Sequence, residues 1–331
     1  MSAADSAPGT ADEPREQRWF HGWGSARGPS HIRSDKPNQD RVKVSSVQLE
    51  PPLGQTFIAC VADGHGSATA YRSDKGAQFA VEVASEVVAG ALEPGGGAGA
   101  TAPDPDWAGA PADAWTSLVE TVAKQICSKW VERVEGDIRE TEDPRAWLGA
   151  GNDSGPDRTG TDSTVDAPDL RAYGSTLIVG ILADCGVGVL QIGDGDAIGL
   201  FSPQGQGVRA ERLTPPDPRL MGNATTSLSL PDAAEDFRHG AWFTASGPGG
   251  LPWGVVIATD GFGNAMVSDD ALHATVRDLV EYAYQLGQDE PGWVSEWLET
   301  NVARFSGDDA SMVLFWRAAS HTSSAPGPEP G

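Results

Sequence analysis

FIACVADGHG, residues 57–66, is the stretch on which the reading of this chain turns. Its first six residues are small or apolar and form a short run with strong β preference. The run stops at Asp63, which is followed by Gly64, His65 and Gly66. A strand end holds a carboxylate at the rim of a core. The glycine after it lets the main chain, with its carbonyl, approach whatever the carboxylate binds. One Asp-Gly pair is an ordinary turn signal, so the weight of the reading rests on recurrence.

The pattern recurs. VLQI runs into Gly193-Asp194-Gly195-Asp196, VVIAT runs into Asp260-Gly261, and Asp308-Asp309 precedes SMVLFW. Carboxylates gathered at a core rim repel one another unless a cation lies between them. The donor set is all oxygen, with no Cys or His cluster, which points to Mg2+ or Mn2+. Two such ions about 3.5–4 Å apart can activate a shared water for in-line attack on phosphorus. His65, two residues past Asp63, is the candidate general acid for the leaving oxygen. A second phosphatase signal, Cys127 and Arg133 in Cys-x5-Arg spacing, is set aside. The residues between them, SKWVE, hold no glycine to cradle a phosphate and lie within a helical stripe.

Outward from these motifs, the chain has 331 residues and a formal net charge of -24. That charge argues against nucleic acid and anionic lipid as partners. A phosphorylated substrate stays compatible, because bound cations reverse the local field. The three cysteines, Cys60, Cys127 and Cys185, form no Cys-x-x-Cys pair, so neither a disulfide framework nor a thiolate zinc site is expected. No signal peptide and no membrane span is read, and the expected setting is cytoplasmic.

Residues 1–17 and 319–331 read as disordered tails. The Gly-, Pro- and Asp-rich stretches near 93–111 and 141–168 read as surface insertions, because the motifs fall on both sides of them. The expectation is therefore one domain over 18–318. Helices are expected over Ser73–Leu92 and Ala112–Ile138, around Val276–Ala283, and around Trp293 and Trp297. Strands are expected at FIACVA, STLIVGIL, VGVLQI, VVIAT and SMVLFW, with a hairpin turning near Asp184–Gly186.

The motifs KPNQD (ending at Asp40), VADGHGS, YGSTLIVGIL, QIGDGDA, ATDGFGNA and GDDASMVLF, in that order, resemble the metal-dependent Ser/Thr protein phosphatases of type 2C, the PPM family, in a bacterial form. The resemblance implies an α+β fold, a four-layer α-β-β-α sandwich of two packed antiparallel sheets flanked by helices. It implies a two-ion Mg2+ or Mn2+ centre with Asp63, Asp260, Asp308 and the Gly64 carbonyl as ligands and Asp40 organising metal-bound water. It also implies His65 as the general acid. The implied substrates are phosphoserine and phosphothreonine proteins, possessed of a cognate Ser/Thr kinase system, and a monomer is expected. Three departures stand out. Gln39 replaces the family's Glu. Asp35 occupies the place of the phosphate-holding Arg, with Arg33 and Lys36 beside it, and Arg33 is assigned that role. Arg171 replaces the Asp of a third metal site, with Asp169 the nearest acid. The alternative is a weak or inactive member of the same fold that binds phosphoproteins as a regulatory module. By contrast with the other strand-end acids, Asp194 is read as a structural turn.

Overall fold

The computed structural model describes residues 19–93, 106–141, 168–202, 207–220, 225–244, 250–286 and 292–317. Both expected tails and most of the two expected insertions lie outside these residues. Two five-stranded sheets make the centre. The first contains β1 (Phe20–Ala26), β6 (Asp196–Phe201), β7 (Arg209–Arg212), β9 (Gly254–Ala258) and β10 (Ala310–Trp316) in the order β1-β10-β9-β6-β7. The second contains β2 (Arg41–Gln48), β3 (Gln55–Ala62), β4 (Leu177–Leu182), β5 (Gly186–Ile192) and β8 (Arg238–Phe243) in the order β2-β3-β4-β5-β8. Every neighbouring pair is antiparallel.

The period-two alternation of a strand explains the layers. Along β3, Phe57, Ala59 and Val61 meet Val255, Ile257, Val313 and Phe315 of the other sheet. Ile58, Cys60 and Ala62 point the opposite way, into a core shared with α2 (Ser73–Leu92) and α3 (Pro111–Thr141). On the far face, Met312, Leu314 and Trp316 of β10 join α5 (Asp269–Leu286) and α6 (Trp293–Leu298). The result is the expected α-β-β-α sandwich. Central strands are covered on both faces, so they read as unbroken apolar runs rather than alternating ones.

The helices and strands expected from periodicity are all present, α3 beginning one residue earlier and ending three later than its stripe. The hairpin closes with Leu182 opposite Val187 and Ala183 N–H donating to the Gly186 carbonyl at 2.9 Å. Five strands were not expected: β1, β2, β6, β7 and β8. Four of them are the sheet edges. Edge strands keep polar and charged residues toward water, and RVKVSSVQ, RAER and RHGAWF carry them.

The pairing registers decide where the motifs go. Arg41 opposes Ala62, so Asp40 and Asp63 leave adjacent strands at the same end. Ala258 opposes both Met312 and Asp196, which brings Thr259–Asp260, Asp308–Asp309 and the Gly193–Gly195 turn to one end of the other sheet. The two ends meet: Thr259 Oγ1 donates to Asp40 Oδ2 at 2.7 Å.

Candidate metal and active site

The loop after β3 is pinned on both sides. Gly64 N–H donates to the Gln39 carbonyl at 3.2 Å, and His65 N–H to the Gly174 carbonyl at 3.0 Å. Thr176 N–H donates to the Asp63 carbonyl at 2.8 Å, and Thr176 Oγ1 accepts from Asp63 N–H at 3.1 Å. The loop is thus clamped between the Asn38–Asp40 segment and the Gly174–Thr176 segment. A side chain at Gly64 would bring its Cβ to 2.5 Å from the Ser73 carbonyl oxygen and 2.9 Å from that of Gln39, so only glycine fits. Gly174 has the same role against the His65 ring.

Five carboxylates act on one another here. Burial raises Asp63 well above the usual carboxylate range, and the charges of Asp40, Asp260 and Asp308 push it further. Burial raises Asp40 to about 7, against the Thr259 hydrogen bond and with the help of Asp309 and Asp260. Asp260, which opens the short helix α4 (Asp260–Gly263), is raised to about 6 by burial and then by Asp194 and Asp308. Asn264 Nδ2 donates to Asp260 Oδ2 at 2.9 Å. Asp308 lies at the mouth, its side chain 56% exposed.

Among the described residues, no three His, Cys, Asp or Glu side chains close into a ready-made cage. The acids are mutual electrostatic neighbours and stop short of coordination geometry. Their fit to a cation is tested by what they lack. Asp40 Oδ1 and Gln39 Oε1 are buried with no hydrogen-bond partner among the described residues. Buried oxygen acceptors left unpaired beside mutually repelling carboxylates match the chemistry of a hard divalent cation.

Every sequence-assigned acid reaches this region: Asp40, Asp63, Asp260 and Asp308, with Gly64 beside them. His65 is there too, its pKa lowered by burial and partly restored by the charge of Asp194. Asp194 does sit in a turn, where Gly193 has φ +101. Its charge nevertheless acts on Asp260 and His65, and it lines a 260 Å3 cavity with Asp260, so it is more than a turn residue. A larger cavity, 750 Å3, lies between α5 and α6, away from the acids.

The basic residues divide. Arg33 is the exposed last residue of α1 (Pro29–Arg33), and no described hydrogen bond involves it. Lys36 Nζ donates to the Gly66 carbonyl at 3.0 Å and so is tied to the Asp63 loop. Arg171 grips Asp169 through Nε at 2.8 Å and Nη2 at 2.9 Å, which occupies both residues at the place of the third site. Gln39 donates through Nε2 to Ser73 Oγ. Cys127 and Arg133 both lie on α3, where burial pushes the thiol up to about 11 and Arg133 pairs with Glu86 at 3.7 Å.

His31 and Asp309 escaped the sequence reading. Asp309 is buried, and its carboxylate accepts from Gly28 N–H at 2.7 Å, Gln39 N–H at 2.6 Å and His31 Nδ1 at 2.7 Å. This ties the Gly28–Asp40 segment to the start of β10. Nothing local in the sequence marks a contact between residues 278 positions apart.

With this geometry in place, comparison with known proteins is informative. The sequence matches the protein phosphatase 2C family over residues 27–302. A search of curated proteins found no match. The fold is similar to that of a serine-threonine phosphatase 2C from Toxoplasma gondii, with TM-score 0.51 and 15% identity over 90% of this chain and 95% of that one. It is also similar to a bacterial serine phosphatase, with TM-score 0.50 and 12% identity over 92% of this chain and all of the other, 100%. At such identities the structural likeness speaks for the fold, and the match along the sequence speaks for the family. This chain belongs to the protein phosphatase 2C family.

Proposed function

We propose that the chain is a metal-dependent protein phosphatase that hydrolyses phosphoserine or phosphothreonine monoesters, with two Mg2+ or Mn2+ ions as cofactor. The observation that supports this most is the set of buried carboxylates that raise one another's pKa around the unpaired Asp40 Oδ1. Asp63, Asp260, Asp308 and the Gly64 carbonyl would hold the ions, with Asp40 behind them. The bound ions would supply charge neutralisation and a nucleophilic water near neutral pH.

The chain's own residues do the rest. Thr259 fixes one oxygen of Asp40 and leaves the other facing the acids. The clamp on Asp63–His65 holds the imidazole beside the carboxylates, where it can pass a proton to the departing serine or threonine oxygen. Lys36, bonded to the same loop, or Arg33, free of other ties, would hold the phosphate.

Release of phosphate from phosphothreonine peptides in Mn2+ or Mg2+ tests the reading. Activity lost on chelation and in Asp63→Asn supports it. Tight metal binding without turnover of any phosphopeptide would favour the non-catalytic phosphoprotein-binding module, for which Gln39 and Arg171 are the motivation. A comparison of Lys36→Ala with Arg33→Ala assigns the phosphate contact. The variant that raises KM with kcat little changed carries it.

A further inference from the structure

His31 is 8% exposed, and its ring is held from one side only. The Asp309 carboxylate already accepts two main-chain N–H groups, from Gly28 and Gln39, so it meets His31 Nδ1 as an acceptor and Nδ1 is the donor. In the neutral ring that tautomer leaves Nε2 with a lone pair. Nε2 faces Asp308 Oδ1 at 3.8 Å. A lone pair and a carboxylate oxygen, set toward each other by a buried anchor, have nothing to share except a cation or a proton. Two donors on one first-row cation, each about 2.1 Å from it, can stand up to about 4.2 Å apart, so the observed separation is within reach of a common ion. The anchor has the form of a carboxylate that fixes the tautomer and orientation of a metal-binding histidine.

The backbone supports the same placement. Gly28 lies so close to the Asp308 main chain that a Cβ there would overlap its carbonyl group. Ser30 N–H donates to the Gly307 carbonyl at 3.0 Å, and Gly307 turns with φ +78. The segment that carries His31 is thus docked on the residue whose carboxylate it faces.

We infer that His31 is a nitrogen ligand of the metal centre, offering Nε2 alongside Asp308 while Asp309 holds its ring. This rests on the metal-dependent reading above and adds to it a mixed nitrogen and oxygen subsite. Imidazole favours Mn2+ and later first-row ions over Mg2+, so the subsite would bias the centre toward Mn2+.

The test is spin-echo EPR on the full chain loaded with Mn2+, which detects 14N coupled to the ion. Wild type is expected to show 14N modulation, and His31→Asn to lose it. Asn is the chosen variant because its amide nitrogen can replace Nδ1 at Asp309 and keep the segment docked. Calorimetry should show the Mn2+ Kd rising about tenfold in His31→Asn and the Mg2+ Kd changing less than about threefold. Should His31→Asn fail to fold, His65→Ala decides, because it must retain the 14N signal. Mn2+ bound by wild type without 14N modulation overturns the inference and leaves the phosphatase reading intact. Modulation lost in His65→Ala assigns the nitrogen to His65 and also overturns it. No Mn2+ binding by wild type removes both.

Discussion

Asp63 shows what a functional residue costs the fold. Burial and the charges of Asp40, Asp260 and Asp308 all disfavour its ionised form. Replacing it with neutral Asn removes a like-charge conflict. The metal-free Asp63→Asn protein is therefore expected to melt higher than metal-free wild type, by about 2–4 °C for a protein of this size, while phosphatase activity disappears. Thermal denaturation in chelator, beside a phosphopeptide assay, checks both halves. A lower melting temperature would mean that Asp63 is structurally engaged rather than held against repulsion. Gly174 makes a companion case. A Cβ there would overlap the His65 ring, so Gly174→Ala should displace the imidazole and lower kcat about tenfold or more, the scale of a general acid's contribution, with folding retained. Full activity in that variant would remove His65 from the chemistry. At this scale the sequence was informative where a residue and its neighbours carry the signal, as with Asp63-Gly64-His65. It was silent on His31 and Asp309, whose meaning lies in a contact across the fold.

Among the elements, α2 is instructive because propensity and packing disagree. Gly76 sits one turn inside it, where Ala would gain about 1 kcal/mol of helix propensity. But Gly76 lies under the Tyr173 carbonyl, so close that a Cβ would overlap it, and Trp130 of α3 donates Nε1–H to the Gly76 carbonyl at 2.9 Å. Overpacking against main chain costs about 1–3 kcal/mol. Gly76→Ala is therefore expected to destabilise by about 1–2 kcal/mol net, the clash outweighing the propensity. A urea midpoint at or above that of wild type would show that the helices can part without loss. The same scale explains which strands were legible. Buried β3, β4, β5, β9 and β10 announce themselves as apolar runs. The edges β1, β2, β7 and β8 do not, because water on one side permits polar residues and their partners across the sheet make them strands. Central β6 was hidden for a different reason: it starts at Asp196, inside what reads locally as a Gly-Asp turn.

For the whole molecule, the joined sheet ends make stability depend on pH and on metal together. In the metal-free protein Asp40 and Asp260 are raised to about 7 and about 6 from an ordinary value of 3.8. Between those limits the folded state binds more protons than the unfolded state, so stability falls as the pH rises from about 4 to about 7. The depressed Asp217, at about 2, acts only below this window, where its contribution is already complete. Chelated protein is thus expected to melt lower at pH 7.5 than at pH 5. Mn2+ at about a hundred times its Kd should restore about 2.7 kcal/mol at pH 7.5. A melting temperature that stays flat or rises over this range without metal would contradict the electrostatic picture of the site.

The sequence by itself determined the layered class of the fold, the main helices and the buried strands, because the 3.6 and 2 periodicities and apolar runs are local consequences of burial. It also determined which acids stand at strand ends. Tertiary structure decided that the acids of two different sheets meet, since register and sheet packing join Asp40 to Thr259 over 219 residues. It moved Asp194 from a turn into the field of Asp260, and it set Lys36 rather than Arg33 on the Asp63 loop. It brought His31 and Asp309 together as well. Strand-end carboxylates follow from sequence because one residue type in one place is enough to suggest them. Their convergence depends on distances between segments, which only the packed chain fixes.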